Sequence, residues 1–280
     1  MTPGEQIAEL EQRAVAHRVV AEGCAMAWRR FGDGPDPLLL LHGGHGSWLH
    51  WVHNVDALLA PGRSVWLPDL PGFGASDALP GAPRDPQRMA RLVEVLVGCI
   101  DQLVGAGTAI DLAGFSFGGL TAAHVVAKRG GVRRLALLGA AGHGSPRRPA
   151  SALREWRLPD ARARQAALRH NLQAHMIHDA ERIDDLSLAV HSTNCEATRF
   201  RSKEVSLASS LAGTLGEHDG AMLALWGEHD VTCTPEDATQ RLAAGRSRTV
   251  QATIAGAGHW VQYEAAEAVN LQLRDWFAPT

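Results

Sequence analysis

Short apolar runs alternate with amphipathic stretches along most of the chain, with Gly or Pro residues between them. The runs predict buried strands, because strands covered on both faces of a sheet have nearly continuous apolar sequence. Predicted strands cover residues 16–21, 24–31, 37–41, 64–67, 109–113, 134–138, 221–226 and 248–254. Predicted helices cover residues 48–59, 87–104, 120–129 and 261–277. Strands that alternate with helices indicate an α/β fold with a mostly parallel, eight-stranded sheet flanked by helices.

One long segment breaks this alternation. Between about residues 143 and 213 no strand-like run occurs, and helices are predicted instead at residues 151–157, 160–174 and 179–190. The segment carries 11 Lys and Arg against 8 Asp and Glu, whereas the whole chain has a net charge of −3. This positive charge predicts attraction of anionic substrates, although a solvated helical surface has the same composition.

The most informative motif lies between a predicted strand and a predicted helix. Ser116 has a glycine two residues before it and another two residues after it, at Gly114 and Gly118. A chain that turns sharply at a serine leaves no room for side chains at these two positions, so the pattern is typical of a nucleophile elbow. Such a turn raises the hydroxyl above the sheet edge and directs the positive end of the next helix at a reacting carbonyl. Ser116 is therefore the predicted nucleophile.

A nucleophilic serine needs a histidine base and a carboxylate that orients the base. Asp230 follows the predicted strand at residues 221–226, and His259 follows the strand at residues 248–254. The chain order Ser, Asp, His is typical of a serine on a strand–helix turn in an α/β sheet. Asp230 is the predicted acid, with Glu228 as the alternative.

A glycine turn and a proline–glycine loop complete the pattern. His42, Gly43 and Gly44 follow the strand at residues 37–41, and residues 69–77 read DLPGFGASD. With the serine, aspartate and histidine positions, these motifs resemble the α/β-hydrolase family over nearly the whole chain. The resemblance implies a catalytic triad of Ser116, Asp230 and His259, and an oxyanion hole formed by the backbone N–H groups of Gly44 and Phe117.

The resemblance also implies a division of the chain. Residues 1–142 and 214–280 are expected to form the α/β-hydrolase core, and residues 143–213 a helical cap over the active site. Candidates for the substrate pocket are Gly43, His45, Phe115, His191, Arg199, Arg201 and Trp260.

Carboxylic-ester hydrolysis is the first expected activity. Relatives of this fold that attack with aspartate are excluded by Ser116. The alternative is hydrolysis of a C–C bond in 2-hydroxy-6-oxo-dienoates, because residues 258–264 and the Gly43–Gly44 turn look like those of meta-cleavage-product hydrolases. The chain departs from that group at Phe115, where the group usually has Asn, and its cap arginine has no clear match, although His191, Arg199 or Arg201 could substitute. Cofactor-free perhydrolase or haloperoxidase chemistry, and a slowly reacting ligand receptor, are further alternatives.

Composition narrows the choice of partner. At 280 residues the chain suits one large domain with an insertion, and its pI near 6.5 argues against a nucleic-acid partner. No apolar run is long enough to cross a membrane, and the four scattered cysteines fit a reduced cytoplasm. The histidines match no compact metal motif. We therefore expect a cytoplasmic monomer or homodimer that acts on a small molecule without a metal or cofactor.

Overall fold

Eight strands of the described residues, 1–216 and 218–278, form one sheet in this computed structural model. The strands are β1 (Val15–Ala21), β2 (Cys24–Phe31), β3 (Asp36–Leu41), β4 (Arg63–Pro68), β5 (Ile110–Phe115), β6 (Val132–Leu138), β7 (Ala221–Gly227) and β8 (Thr249–Ile254). Their order across the sheet is β1-β2-β4-β3-β5-β6-β7-β8. The pairs β1–β2 and β2–β4 are antiparallel, and the other neighbours are parallel. The predicted mostly parallel, eight-stranded α/β fold is confirmed.

The sheet has a buried apolar layer on each face. In β3, Leu39 and Leu41 contact one layer, whereas Leu38 and Leu40 contact the other. This division follows from the strand period of two, which directs successive side chains to opposite faces. The continuous apolar runs in the sequence are the signature of this double burial.

Helices cover both faces of the sheet. They are α1 (Pro3–Gln12), α2 (Val55–Leu58), α3 (Arg88–Val104), α4 (Phe117–Arg129), α5 (Ala161–His175), α6 (Asp185–Ala197), α7 (Ser202–Ala208), α8 (Leu211–Leu215), α9 (Pro235–Ala243), α10 (Val261–Glu264) and α11 (Ala266–Trp276). Two short 3₁₀ helices occur at Trp48–Trp51 and Ala180–Arg182. Helices α5 to α8 lie between β6 and β7, in the segment that breaks the alternation of the sequence.

The prediction of a helix at residues 151–157 is wrong. These residues are all described and contain no helix. Both backbone groups of Arg154 bond instead to the side-chain amide of Asn171 in α5, at 2.7 Å for the N–H and 2.8 Å for the carbonyl. A long-range amide contact has therefore replaced the helical hydrogen bonds of this stretch.

Three other predicted helices are interrupted. Residues 48–59 form a 3₁₀ turn and then α2, and Asn54 between them donates its side-chain amide to the carbonyl of Gln262 at 3.0 Å. Residues 179–190 form a 3₁₀ turn and the start of α6, each with its own aspartate cap. Residues 261–277 divide into α10 and α11 at Ala265.

Candidate active site

Ser116 lies at a sharp turn between β5 and α4. Its backbone has φ 52° and ψ −116°, a left-handed conformation that is uncommon for a residue with a side chain. A Cβ atom added to Gly114 would lie 2.3 Å from the carbonyl oxygen of Gly118, and one added to Gly118 would lie 2.4 Å from that of Leu41. Both glycines are therefore required by close backbone approach, as the elbow motif predicts.

The structure brings Ser116, His259 and Asp230 together in one chain of contacts. His259 Nε2 lies 2.9 Å from Ser116 Oγ, and His259 Nδ1 lies 2.8 Å from Asp230 Oδ2. Asp230 follows β7 and His259 follows β8, so parallel strands deliver both side chains to the edge at which β5 ends. These distances are those of a nucleophile, a base and an orienting acid.

The carboxylate of Asp230 is fully buried and is held by the next loop. Its Oδ1 accepts hydrogen bonds from the backbone N–H and the hydroxyl of Thr232, each at 2.7 Å. Burial alone would raise its pKa, but the charge of His259 and the hydrogen bonds from His259 and Thr232 outweigh it, so the pKa of Asp230 lies below its ordinary value. Glu228 accepts instead from the backbone N–H of Gly256 at 2.8 Å, which leaves the contact with His259 to Asp230.

The two backbone N–H groups predicted for the oxyanion hole, those of Phe117 and Gly44, have no acceptor within the described residues. Phe117 begins α4, so its N–H is one of the unsatisfied donors at the positive end of a helix. A side chain at Gly44 would force Ser202 to move, because an added Cβ would lie 2.3 Å from Ser202 Oγ and 3.1 Å from its Cβ. Free donors of this kind can bind the oxygen of a tetrahedral intermediate.

A cavity of about 630 Å³ opens onto Ser116 and His259. Five residues predicted for the oxyanion hole or pocket line it: Gly44, His45, Phe115, Phe117 and His191. Most of the remaining wall comes from residues 141–156, from α5 and α6, and from residues 202–209. The segment between β6 and β7 therefore covers the serine side of the sheet.

Four predicted pocket residues do not line this cavity. Gly43 lies behind the serine, where an added Cβ would be 3.2 Å from Ser116 Cβ. Trp260 is buried and donates its indole N–H to the carbonyl of His50 at 3.0 Å. Arg199 and Arg201 also lie outside the cavity wall.

The two arginines have structural partners outside the cavity. Arg199 donates its guanidinium to the carbonyl of Gly74 at 3.2 Å and also to that of Ser76, so it fastens the loop after β4. Arg201 pairs with Glu204 one turn away, at 3.1 Å. Neither side chain lines the cavity, so neither is placed to bind a substrate carboxylate there.

Sequence reasoning missed the cations that do line the cavity. These are Arg147, Arg148, Arg154 and Lys203, and no Asp or Glu is among the described residues of the wall. All four belong to residues 143–213. The net positive charge of that segment was the sequence feature that pointed to them. A wall with positive side chains and no acidic ones favours an anionic ligand.

Burial favours the neutral form of four imidazoles in the wall, those of His45, His143, His175 and His191. Burial, reinforced by neighbouring positive groups, lowers the pKa of His175 to about 3. Burial likewise lowers the pKa of His191 to about 4, and it lowers those of His45 and His143. No group of three or more His, Cys, Asp or Glu among residues 1–216 and 218–278 is arranged to hold a metal ion. The histidines therefore offer neutral hydrogen-bonding groups near Ser116.

The sheet, the elbow and the serine–histidine–aspartate contacts define an α/β hydrolase of the serine type. Residues 38–272 match the sequence model of the alpha/beta hydrolase family. The chain belongs to this family and is a hydrolytic enzyme. In the same part of the chain that the structure describes, no helix is long and apolar enough to cross a membrane.

Proteins with assigned activities resemble this chain in sequence or in structure. The chain is 30% identical over 261 residues to a 2-hydroxy-6-oxononadienedioate/2-hydroxy-6-oxononatrienedioate hydrolase of Cupriavidus pinatubonensis, with 88% of each chain covered. A meta-cleavage product hydrolase of Pseudomonas fluorescens IP01 superimposes with a TM-score of 0.73 at 20% identity, covering 93% of this chain and 97% of that one. The esterase RhEst1 of Rhodococcus sp. ECU1013 superimposes with a TM-score of 0.75 at 23% identity, covering 94% of this chain and 98% of that one. The two superpositions show the shared fold, whereas the Cupriavidus relative supports C–C hydrolysis better than the ester hydrolysis that was expected first.

Proposed function

We propose that this enzyme hydrolyses a C–C bond in a 2-hydroxy-6-oxo-dienoate that carries a second carboxylate. The observation that carries the proposal is the cavity, which joins Ser116 to a wall whose described residues include four positive side chains and no acidic one. Such a wall attracts a dicarboxylate more strongly than a neutral ester. The Cupriavidus relative is named for a dienedioate, which supports the same class of substrate.

Ser116, His259 and Asp230 would perform the acyl transfer. His259 takes the proton of Ser116 as Oγ attacks the 6-oxo carbon, and Asp230 holds the imidazole and stabilises its charge. The backbone N–H groups of Phe117 and Gly44 bind the oxygen of the tetrahedral intermediate. This arrangement follows the distances of 2.9 Å and 2.8 Å along the chain of contacts.

The leaving group differs from that of an ester. The 2-hydroxy-diene must first become its 2-oxo tautomer, because the electrons of the breaking C–C bond then flow into a conjugated enolate. His259 returns its proton to the departing carbon fragment, which leaves an acyl group on Ser116. Water activated by the same histidine then attacks the acyl-enzyme, so the two products together gain one molecule of water.

The proposal extends to the role of residues 143–213 and to the cellular compartment in which the enzyme acts. We propose that residues 143–213 act as the cap that selects the substrate, because most of the cavity wall is drawn from them. The four cysteines are all buried and unpaired, which supports action in the cytoplasm.

A substrate panel tests the proposal. The panel contains a 2-hydroxy-6-oxo-dienedioate, its analogue without the distal carboxylate, and p-nitrophenyl esters of increasing chain length, with Ser116→Ala as the blank. We expect the dienedioate to give the highest kcat/KM, followed by its monocarboxylate analogue. Faster turnover of the esters than of both dienoates would assign the enzyme to carboxylic-ester hydrolysis instead.

A further inference from the structure

The segment between β6 and β7 is joined to the loop that carries His259. Trp260, the next residue after His259, donates its backbone N–H to the carbonyl of Met176 at 2.7 Å. Tyr263 donates its hydroxyl to Asp184 at 2.6 Å, where Asp184 caps α6. Trp260 and Tyr263 thus both hydrogen-bond to the segment of residues 143–213 that covers the cavity.

Glu264 accepts three hydrogen bonds where the His259 loop contacts the covering segment. Its side chain is buried, and its Oε2 accepts from the backbone N–H of Gly258 at 2.7 Å and from that of His178 at 3.0 Å. Its Oε1 accepts from the N–H of Asp179 at 2.7 Å. Gly258 directly precedes His259, whereas His178 and Asp179 belong to the covering segment. The carboxylate of Glu264 therefore hydrogen-bonds both to the residue before His259 and to the segment that covers the cavity.

The loop that carries Asp230 also contacts the segment that covers the cavity. The imidazole of His178 stacks on that of His229 with centroids 3.7 Å apart and planes 20° apart. His229 directly precedes Asp230, and its backbone N–H donates to the carbonyl of Ala257 at 2.8 Å. The residues after α5 consequently touch the loops of both the predicted base and the predicted acid.

We infer that Glu264 is a positioning residue, which sets His259 relative to Ser116 by fixing Gly258 against residues 178 and 179 of the covering segment. The inference rests on the proposed role of His259 as the base, and it does not depend on which carbonyl substrate is cleaved. Only a carboxylate suits the position, since two oxygens accept three N–H groups. A glutamine would present an NH₂ group to at least one of these donors.

The backbone at Gly258 packs closely against His178 and Glu264. A Cβ added to this glycine would lie 2.8 Å from the His178 nitrogen and 3.1 Å from Glu264 Oε2. The peptide chains on the two sides of the junction are thus already at contact distance. Loss of one hydrogen bond here is expected to shift the imidazole that must stay within 2.9 Å of Ser116 Oγ.

The test compares Glu264→Gln with Glu267→Gln, a matched change on an exposed residue of α11. Turnover is measured on p-nitrophenyl acetate, and active sites are counted by labelling with a fluorophosphonate. Because small displacements of a catalytic group cost up to about 100-fold in rate, we expect Glu264→Gln to lower kcat per labelled site by about 10- to 100-fold. KM should change little, the labelling rate should fall in parallel, and Glu267→Gln should behave as wild type.

Glu264→Asp covers the case in which the glutamine variant does not fold. It keeps the charge but shortens the reach, and we expect a smaller fall in kcat with KM unchanged. A lowered melting temperature with a wild-type kcat per labelled site, in whichever variant folds, would make Glu264 merely structural and overturn the inference. Wild-type activity on the ester without activity on dienoates would refute the proposed substrate and leave this test intact.

Discussion

His175 and His191 are neutral in the cavity wall, and this should make the fold sensitive to acid. Their pKa values are lowered by burial to about 3 and about 4. Unfolding returns both to an ordinary pKa of about 6.5, so below that pH the unfolded chain binds more protons and the unfolding free energy falls as the pH falls. At pH 5, about 1.5 units below 6.5, each histidine lowers the unfolding free energy by about 2 kcal/mol relative to pH 8.

Urea unfolding at pH 8 and pH 5, followed by tryptophan fluorescence, measures this effect. The double variant His175→Gln/His191→Gln keeps neutral polar side chains but cannot take up these protons. Its loss of stability between the two pH values should be about 4 kcal/mol smaller than that of the wild type, with about half the difference in each single variant. Equal losses in wild type and double variant would refute the reasoning.

The remaining predictions concern the site. Ser116→Ala should lower turnover by at least about 1,000-fold with an unchanged circular dichroism spectrum; retention of a tenth of the activity would exclude it as nucleophile. Asp230→Asn should lower kcat by on the order of 10⁴-fold and Glu228→Gln only slightly, and the reverse result would exchange their roles. For an anionic ester, kcat/KM should fall as salt rises from about 0.05 to 0.5 M, and Arg147→Ala should raise KM. A neutral ester and Arg201→Ala are the controls, and equal responses would contradict an electrostatic role of the wall.

The sheet and the elbow could be predicted because local sequence determines them. The apolar run before Ser116 and the two glycines around it encode a buried strand and a crowded turn, whatever the rest of the chain does. The N-terminal helix α1 had an equally local signal that was not used. Thr2 and Glu5 form a capping box there, and Pro3 is the first helical residue.

The errors have a different origin. Residues 151–157 have helix-forming composition, but the amide of Asn171 binds the backbone there, a contact that no local pattern announces. The role of Arg199 is set by carbonyls more than 120 residues away in sequence. Positive charge in residues 143–213 was recognised as a property of the segment, yet only the folded chain shows which four cations reach the cavity.

The absence of acidic side chains from the described cavity wall also bears on what happens after the bond is cut. Hydrolysis at a carbonyl creates a carboxylic acid that is fully ionised at neutral pH, so the products together carry one more negative charge than the substrate. A wall that attracts the anionic substrate on entry therefore also attracts both anionic products. We expect product departure to limit turnover at low ionic strength, and carboxylate products to inhibit the enzyme less as salt is added.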